Sequence, residues 1–148
     1  MLTKIKQWYN QRKTVMKQRS NLDIAFDAIY RHLNGFYTEG KQWVHDIVNK
    51  TNLEYINLVN VKCGWAKYLL DEGRKIHDMM KRAIGKGDII GKAYIAMIEY
   101  LESIDSLIKS SVNVVPYSKI DEFNLIVYQL HRNLSTAVSN RYYTIEIE

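Results

Sequence analysis

Glycines and lysines crowd closely enough to suggest phosphate binding in one segment, GKGDIIGK at 85–92. A phosphate-cradling loop needs a glycine, four residues and then Gly-Lys-Ser/Thr, set between a strand and a helix. Taking Gly91-Lys92 as that pair puts Lys86 where the first glycine belongs and Ala93 where the hydroxyl belongs, after a helical pattern. The segment therefore reads as a turn between helices. Glu99, Glu102 and Asp105 align at i, i+3 and i+6, but a di-metal carboxylate bundle also needs Glu-x-x-His on two helices. No Glu in this chain is followed three residues later by His, so these acids read as a solvated face. Cys63 has no nearby pattern of basic residues that marks it as a nucleophile and reads as a small core residue. As the lone cysteine it excludes an internal disulfide.

The histidines are His32, His45, His77 and His131, two of them in the pairs His45-Asp46 and His77-Asp78. A separate His, a His-Asp pair and a distant Asp on helices is similar to the metal-binding pattern of HD-type phosphohydrolases. That resemblance implies His45, His77, Asp78 and Asp121 as ligands. The lead-in EGRKI to His77 departs from the apolar run usual in that family, so neither a metal nor a cofactor is assigned.

The charge distribution carries more. The chain of 148 residues has net charge +5, and residues 1–19 alone hold Lys4, Lys6, Arg12, Lys13, Lys17 and Arg19 with no acid. The remainder is nearly neutral. Interleaved with Trp8 and Tyr9, the six cations could neutralise phosphates and stack on bases. They could equally lie on an anionic membrane or dock into an acidic groove of a partner. A second basic group (Lys62, Lys67, Arg74, Lys75, Lys81, Arg82, Lys86, Lys92) is diluted by four acids and reads as a mixed-charge helix face.

These residues must be carried by helices. One proline and seven glycines leave few turns. Ile5, Trp8, Arg12, Val15, Arg19, Leu22, Phe26, Ile29 and Leu33 recur at steps of three and four and predict a helix over about 3–34, stopped by Asn34-Gly35. A short helix follows near 41–49. A capping box Thr51-x-x-Glu54 opens a helix over about 52–84, with a kink or break expected near Asp71-Glu72-Gly73. Asp88 caps a helix over about 89–110, which ends before the extended VNVVP. Ser118 and Asp121 open the last, over about 118–141. The tail YYTIEIE at 142–148 alternates like a strand.

Four main helices with coiled-coil spacing predict an all-α bundle in one domain. The second half of the first helix supplies core residues. Its first half places Arg12 and Arg19 on the stripe, and two arginines cannot face a dry core unpaired. Residues 1–19 are therefore expected as a basic arm outside the core. Residues 25–40, AFDAIYRHLNGFYTEG, resemble the helix-aromatic-glycine stretch near the start of podovirus-type head-to-tail adaptors, which are also helical bundles; no residue roles are carried over. The Ile, Tyr, Asn and Lys bias is that of an AT-rich genome and suits a phage or viral setting.

With no signal-peptide h-region, no span-length apolar run and a single cysteine, a cytoplasmic protein is expected. The function expected is non-enzymatic interaction or assembly, docking on partner proteins or on copies of itself. Lys4, Lys6, Trp8, Tyr9, Arg12, Lys13, Lys17 and Arg19 form the contact surface. The alternatives are nucleic-acid binding through the same residues and, third, metal-dependent phosphohydrolysis.

Overall fold

The computed structural model describes residues 2–50, 52–84 and 92–139. They form four helices, α1 (Leu2–Ile47), α2 (Leu53–Ala83), α3 (Lys92–Ser111) and α4 (Ile120–Ser139), with no strand among the described residues. The fold is the all-α bundle that the apolar spacing predicts. The tail, the glycine turn at 85–87 and the Asp88 cap lie outside the described residues.

Helix α1 departs from its expected bounds. It runs unbroken through Asn34-Gly35 and absorbs the separate helix predicted at 41–49. At 1.5 Å per residue it is about 69 Å long. Gly35 does not stop the helix because its role is tertiary: a Cβ there would lie 3.3 Å from the Tyr117 ring. At Gly40 a Cβ would fall 2.5 Å from Cys63 Sγ. Both glycines let a neighbour lie against the α1 backbone, and that packing outweighs a propensity loss of about 1 kcal/mol each.

The other ends differ in detail. Asn52, not Thr51, caps α2, its Oδ1 accepting from the Glu54 amide at 2.7 Å. The kink expected near 71–73 is missing, for α2 is continuous from Leu53 to Ala83. Gly73 is buried under the Tyr100 hydroxyl, 2.5 Å from where a Cβ would stand, so it too serves close approach. After α3, Asn113 takes a left-handed φ of 70°, and the amides of Val114 and Val115 both donate to Ser111 O. The expected extended run thus begins as a turn, in a conformation asparagine tolerates better than most residues. Helix α4 starts at Ile120, with Lys119 rather than Ser118 supplying the first accepting carbonyl. The Ser118 amide instead donates to the Glu39 carboxylate at 3.4 Å.

Each helix touches two others, in the ring α1–α2–α3–α4–α1. Paired residues fix the directions. Lys41 meets Asn60 and Asp23 meets His77, so α1 and α2 are antiparallel. Lys62 meets Ser110 while Tyr100 reaches Leu69 O, so α2 and α3 are antiparallel too. The enclosed core takes Leu22, Ile29, Leu33 and Phe36 from α1, Val59 and Met80 from α2, Leu101 and Ile104 from α3, and Phe123 and Val127 from α4. Among the described residues, no helix is long and apolar enough to cross a membrane.

Candidate interaction surface

The α1–α2 seam sets the register in which the first residues of α1 are presented. Two rows of α1 approach α2. One row is Asp23, Tyr30 and Tyr37; the other is Phe26, Leu33 and Gly40. Together they make a repeat of seven with alternate steps of three and four, the a/d seam of a coiled coil. Asp23 accepts from His77 Nε2 at 2.7 Å and pairs with Lys81 at 3.1 Å. Arg74 lies over the Tyr30 ring, Lys67 over the Tyr37 ring, and Cys63 sits beneath Gly40. The last contact along this line is Arg19, whose Nη2 donates to Ile84 O at the end of α2, 3.5 Å away. There Arg19 satisfies a carbonyl that the helix end leaves without an internal partner.

Continued backwards, the same rows are Met16, Tyr9 and Leu2, and Arg19, Arg12 and Ile5. Beyond Arg19, no residue of α2 lies opposite them. Helix α2 ends at Ala83, capped by Ile84, and α3 turns back along it from Lys92. Residues 2–18 therefore extend about 25 Å past the end of α2. Leu2, Ile5, Trp8, Tyr9 and Met16 are each more than half exposed, while Val15 is half-buried against the core and Leu22 is the first buried side chain among those described.

Of the predicted contact residues, Lys4, Lys6, Trp8, Tyr9, Arg12, Lys13 and Lys17 fall on this overhang and Arg19 at its root against Ile84; all are exposed. The Arg12 guanidinium lies 5.4 Å over the Trp8 ring and Lys13 Nζ 4.9 Å over the Tyr9 ring, both at i, i+4. Sequence reasoning found the row Ile5–Trp8–Arg12–Val15 but missed the neighbouring row Leu2–Tyr9–Met16. The signal was there: Leu2, Tyr9 and Met16 recur every seven residues and interleave with Ile5 and Arg12 at steps of three and four.

The second basic group behaves differently. Lys62 lies over Trp65 and donates to Ser110, Lys75 pairs with Glu72 at 3.2 Å, and Lys81 pairs with Asp23. Arg82 donates to Asp78 O. Those cations have partners within the bundle. Among the described residues, no ion pair reaches Lys4, Lys6, Arg12, Lys13, Lys17 or Arg19.

The candidate metal ligands are not brought together. His45 is exposed near the far end of α1, beside Asp46. It lies roughly 28 Å along the α1–α2 pair from His77, by the rise per residue. His77 stacks on Phe26 at 4.6 Å and is held by Asp23, while Asp121 stands exposed in the first turn of α4. Among the described residues no three His, Cys, Asp or Glu side chains converge. Asp105 pairs with Lys109 at 2.8 Å, and Glu99 and Glu102 are exposed.

The Asp23–His77–Lys81 cluster, which sequence reasoning missed, borders a cleft of about 460 Å³ between α1 and α2, floored by Phe26, Tyr30 and Tyr100. Burial pushes the Asp23 carboxyl up, but hydrogen bonds and charge from Lys81 and His77 outweigh it and hold the pKa below the usual value. Burial likewise raises the Cys63 thiol, which suits an inert core residue. On the opposite side, His32 Nδ1 and Tyr117 Oη share a hydrogen bond of 2.8 Å, with His32 stacked on Phe123. Burial, with Lys119 and Arg31 nearby, lowers the His32 pKa against the opposing pull of Glu122. At neutral pH the Glu122 carboxylate therefore faces a neutral ring 3.8 Å away, not an ion pair.

Compared with known protein families, curated proteins and solved structures, the chain matches none.

Proposed function

We propose that this chain is a non-enzymatic interaction or assembly protein that docks through the overhang of α1. The observation that carries the reading is the heptad seam of α1 running about 25 Å beyond the helix that covers its other half. Exposed single apolar residues are ordinary on a protein surface. Four of them on one helix end (Leu2, Ile5, Tyr9 and Met16), in the register that the same helix uses to bind α2 and with Trp8 beside them, support reading it as a contact surface. A cytoplasmic setting, in a host or virion for a phage-encoded protein, belongs to the same reading, with Cys63 a free buried thiol.

Nucleic-acid binding is the second reading, favoured by six cations with no ion pair among the described residues, beside exposed Trp8 and Tyr9. A photo-crosslinking amino acid at position 9, with position 68 on exposed Tyr68 as control, separates the two in cells expressing the chain. Discrete protease-sensitive adducts at 9 and not at 68 support protein docking. Nuclease-sensitive adducts at 9 transfer the surface to nucleic acid. Equal yields at both positions, or none, remove the overhang as a contact surface.

A further inference from the structure

Resting on the docking reading, we infer that the occupant of the overhang is an acidic amphipathic helix of a different protein, lying where α2 would continue if it were longer. Shape supplies the first half of the argument. Leu2, Ile5, Tyr9 and Met16 hold the heptad positions that Tyr30, Leu33 and Tyr37 hold further along, against α2. A surface with that spacing fits another helix side by side. Phosphates have no use for Leu2, Ile5 or Met16, so the apolar row favours a helix over nucleic acid.

Charge supplies the second half. Lys6 and Lys13 flank the seam on one edge, Arg12 and Arg19 stand within it, and Lys4 and Lys17 lie further round. A second copy of the chain would bring six more cations onto the same 25 Å, by the rise per residue. In a parallel pair Arg12 would face its own copy, and in an antiparallel pair the Lys6 and Lys13 edges would meet. Like charges at such positions select against self-pairing. Carboxylates at the flanking positions of a partner would instead pair with Lys6 and Lys13, and one beside the seam would meet Arg12. The half of the seam already covered shows the same chemistry reversed. There an α1 carboxylate, Asp23, sits in the seam and is met by His77 and Lys81 of α2.

The test uses the full chain and labelled three-heptad peptides with Leu at the seam positions and Glu, Gln or Lys at the flanking ones, read by fluorescence anisotropy. The Glu peptide is expected to bind about tenfold tighter than the Gln peptide and to lose that margin as salt rises, with the Lys peptide weakest. M16D, at an exposed position, abolishes binding while leaving the thermal melt unchanged. V61D, equally exposed on α2, leaves binding intact. Equal affinity for the Glu and Gln peptides, or no binding of either, overturns the acidic helix. So does a concentration-dependent dimer in sedimentation that M16D dissolves, since the occupant is then a second copy. Tighter binding of duplex DNA that displaces the Glu peptide assigns the surface to nucleic acid. Peptide binding that appears only in E146Q/E148Q assigns it to the chain's own acidic tail. Protein adducts at position 9 combined with failure of the Glu peptide would leave the docking reading standing and remove this one.

Discussion

Substituting Gly73 by alanine tests whether glycine inside α2 is a defect or a packing requirement. An alanine Cβ would stand 2.5 Å from the Tyr100 hydroxyl and 3.2 Å from its Cζ. That hydroxyl is not a free end: Tyr100 is 6% exposed, stacks near Phe26 and donates to Leu69 O at 3.0 Å. Burial also keeps its phenol well above the ordinary pKa. Restoring normal contact moves the oxygen by roughly 0.9 Å, which breaks the hydrogen bond, at about 1 kcal/mol. Overpacking adds about 1–3 kcal/mol, and replacing a helical glycine by alanine returns about 0.5–1. The net expectation is a loss of about 1–3 kcal/mol, read as a shift in urea midpoint by circular dichroism. Y100F alone costs about 1 kcal/mol. In G73A/Y100F the clashing oxygen is gone, so the pair is expected to be less damaging than the sum, by about 1–2 kcal/mol. G64A is the control, because Gly64 is exposed with nothing within 4 Å of a Cβ; it should stabilise by about 0.5–1 kcal/mol. A G73A protein as stable as the parent, or strictly additive effects, would refute the claim that Tyr100 requires this glycine.

Further outcomes follow from the caps and the titrating groups. N52A removes the acceptor of the Glu54 amide and should cost about 0.5–2 kcal/mol in the same assay. At Asn113, with φ of 70°, alanine should cost about 1 kcal/mol while glycine is close to neutral. The His32 pKa is depressed, so its contribution to stability is present above the unfolded value near 6.5 and is lost as pH falls through the folded value. An NMR titration should place His32 below 6.5, and thermal stability should decline on acidification over that range, more weakly in H32Q. Asp23 acts in the same direction at lower pH: its stabilisation is complete above the unfolded value of about 3.9 and disappears as pH falls through the lower folded one. D23N should flatten that acid limb.

The helical class and the core stripe of α1 were legible because buried side chains on a helix must repeat every three or four residues. Helix ends were less legible, since glycine has two uses. Gly35 and Gly73 carry the local signature of a stop and a break, yet each lies against an aromatic ring from a segment distant in sequence. Nothing near Gly35 in the chain announces Tyr117. The same limit hid Asp23–His77, which joins residues 54 apart. The overhang was half legible: Arg12 and Arg19 on an apolar stripe exclude a dry core. That α2 stops at Ala83, leaving the seam open, is a matter of tertiary register.

Residues 2–13 of α1 bury nothing, so their helix is sustained by backbone bonds and by side-chain pairs such as Trp8–Arg12 and Tyr9–Lys13. A segment of that kind lives on a helix–coil equilibrium, seeded here by the rigid body of α1 rather than by its own costly nucleation. Its apparent affinity for any partner is then the intrinsic one scaled by the fraction already coiled into shape. For a partner docked as proposed, binding strength would be adjustable from positions that never touch it, and from temperature, without altering one contact in the seam.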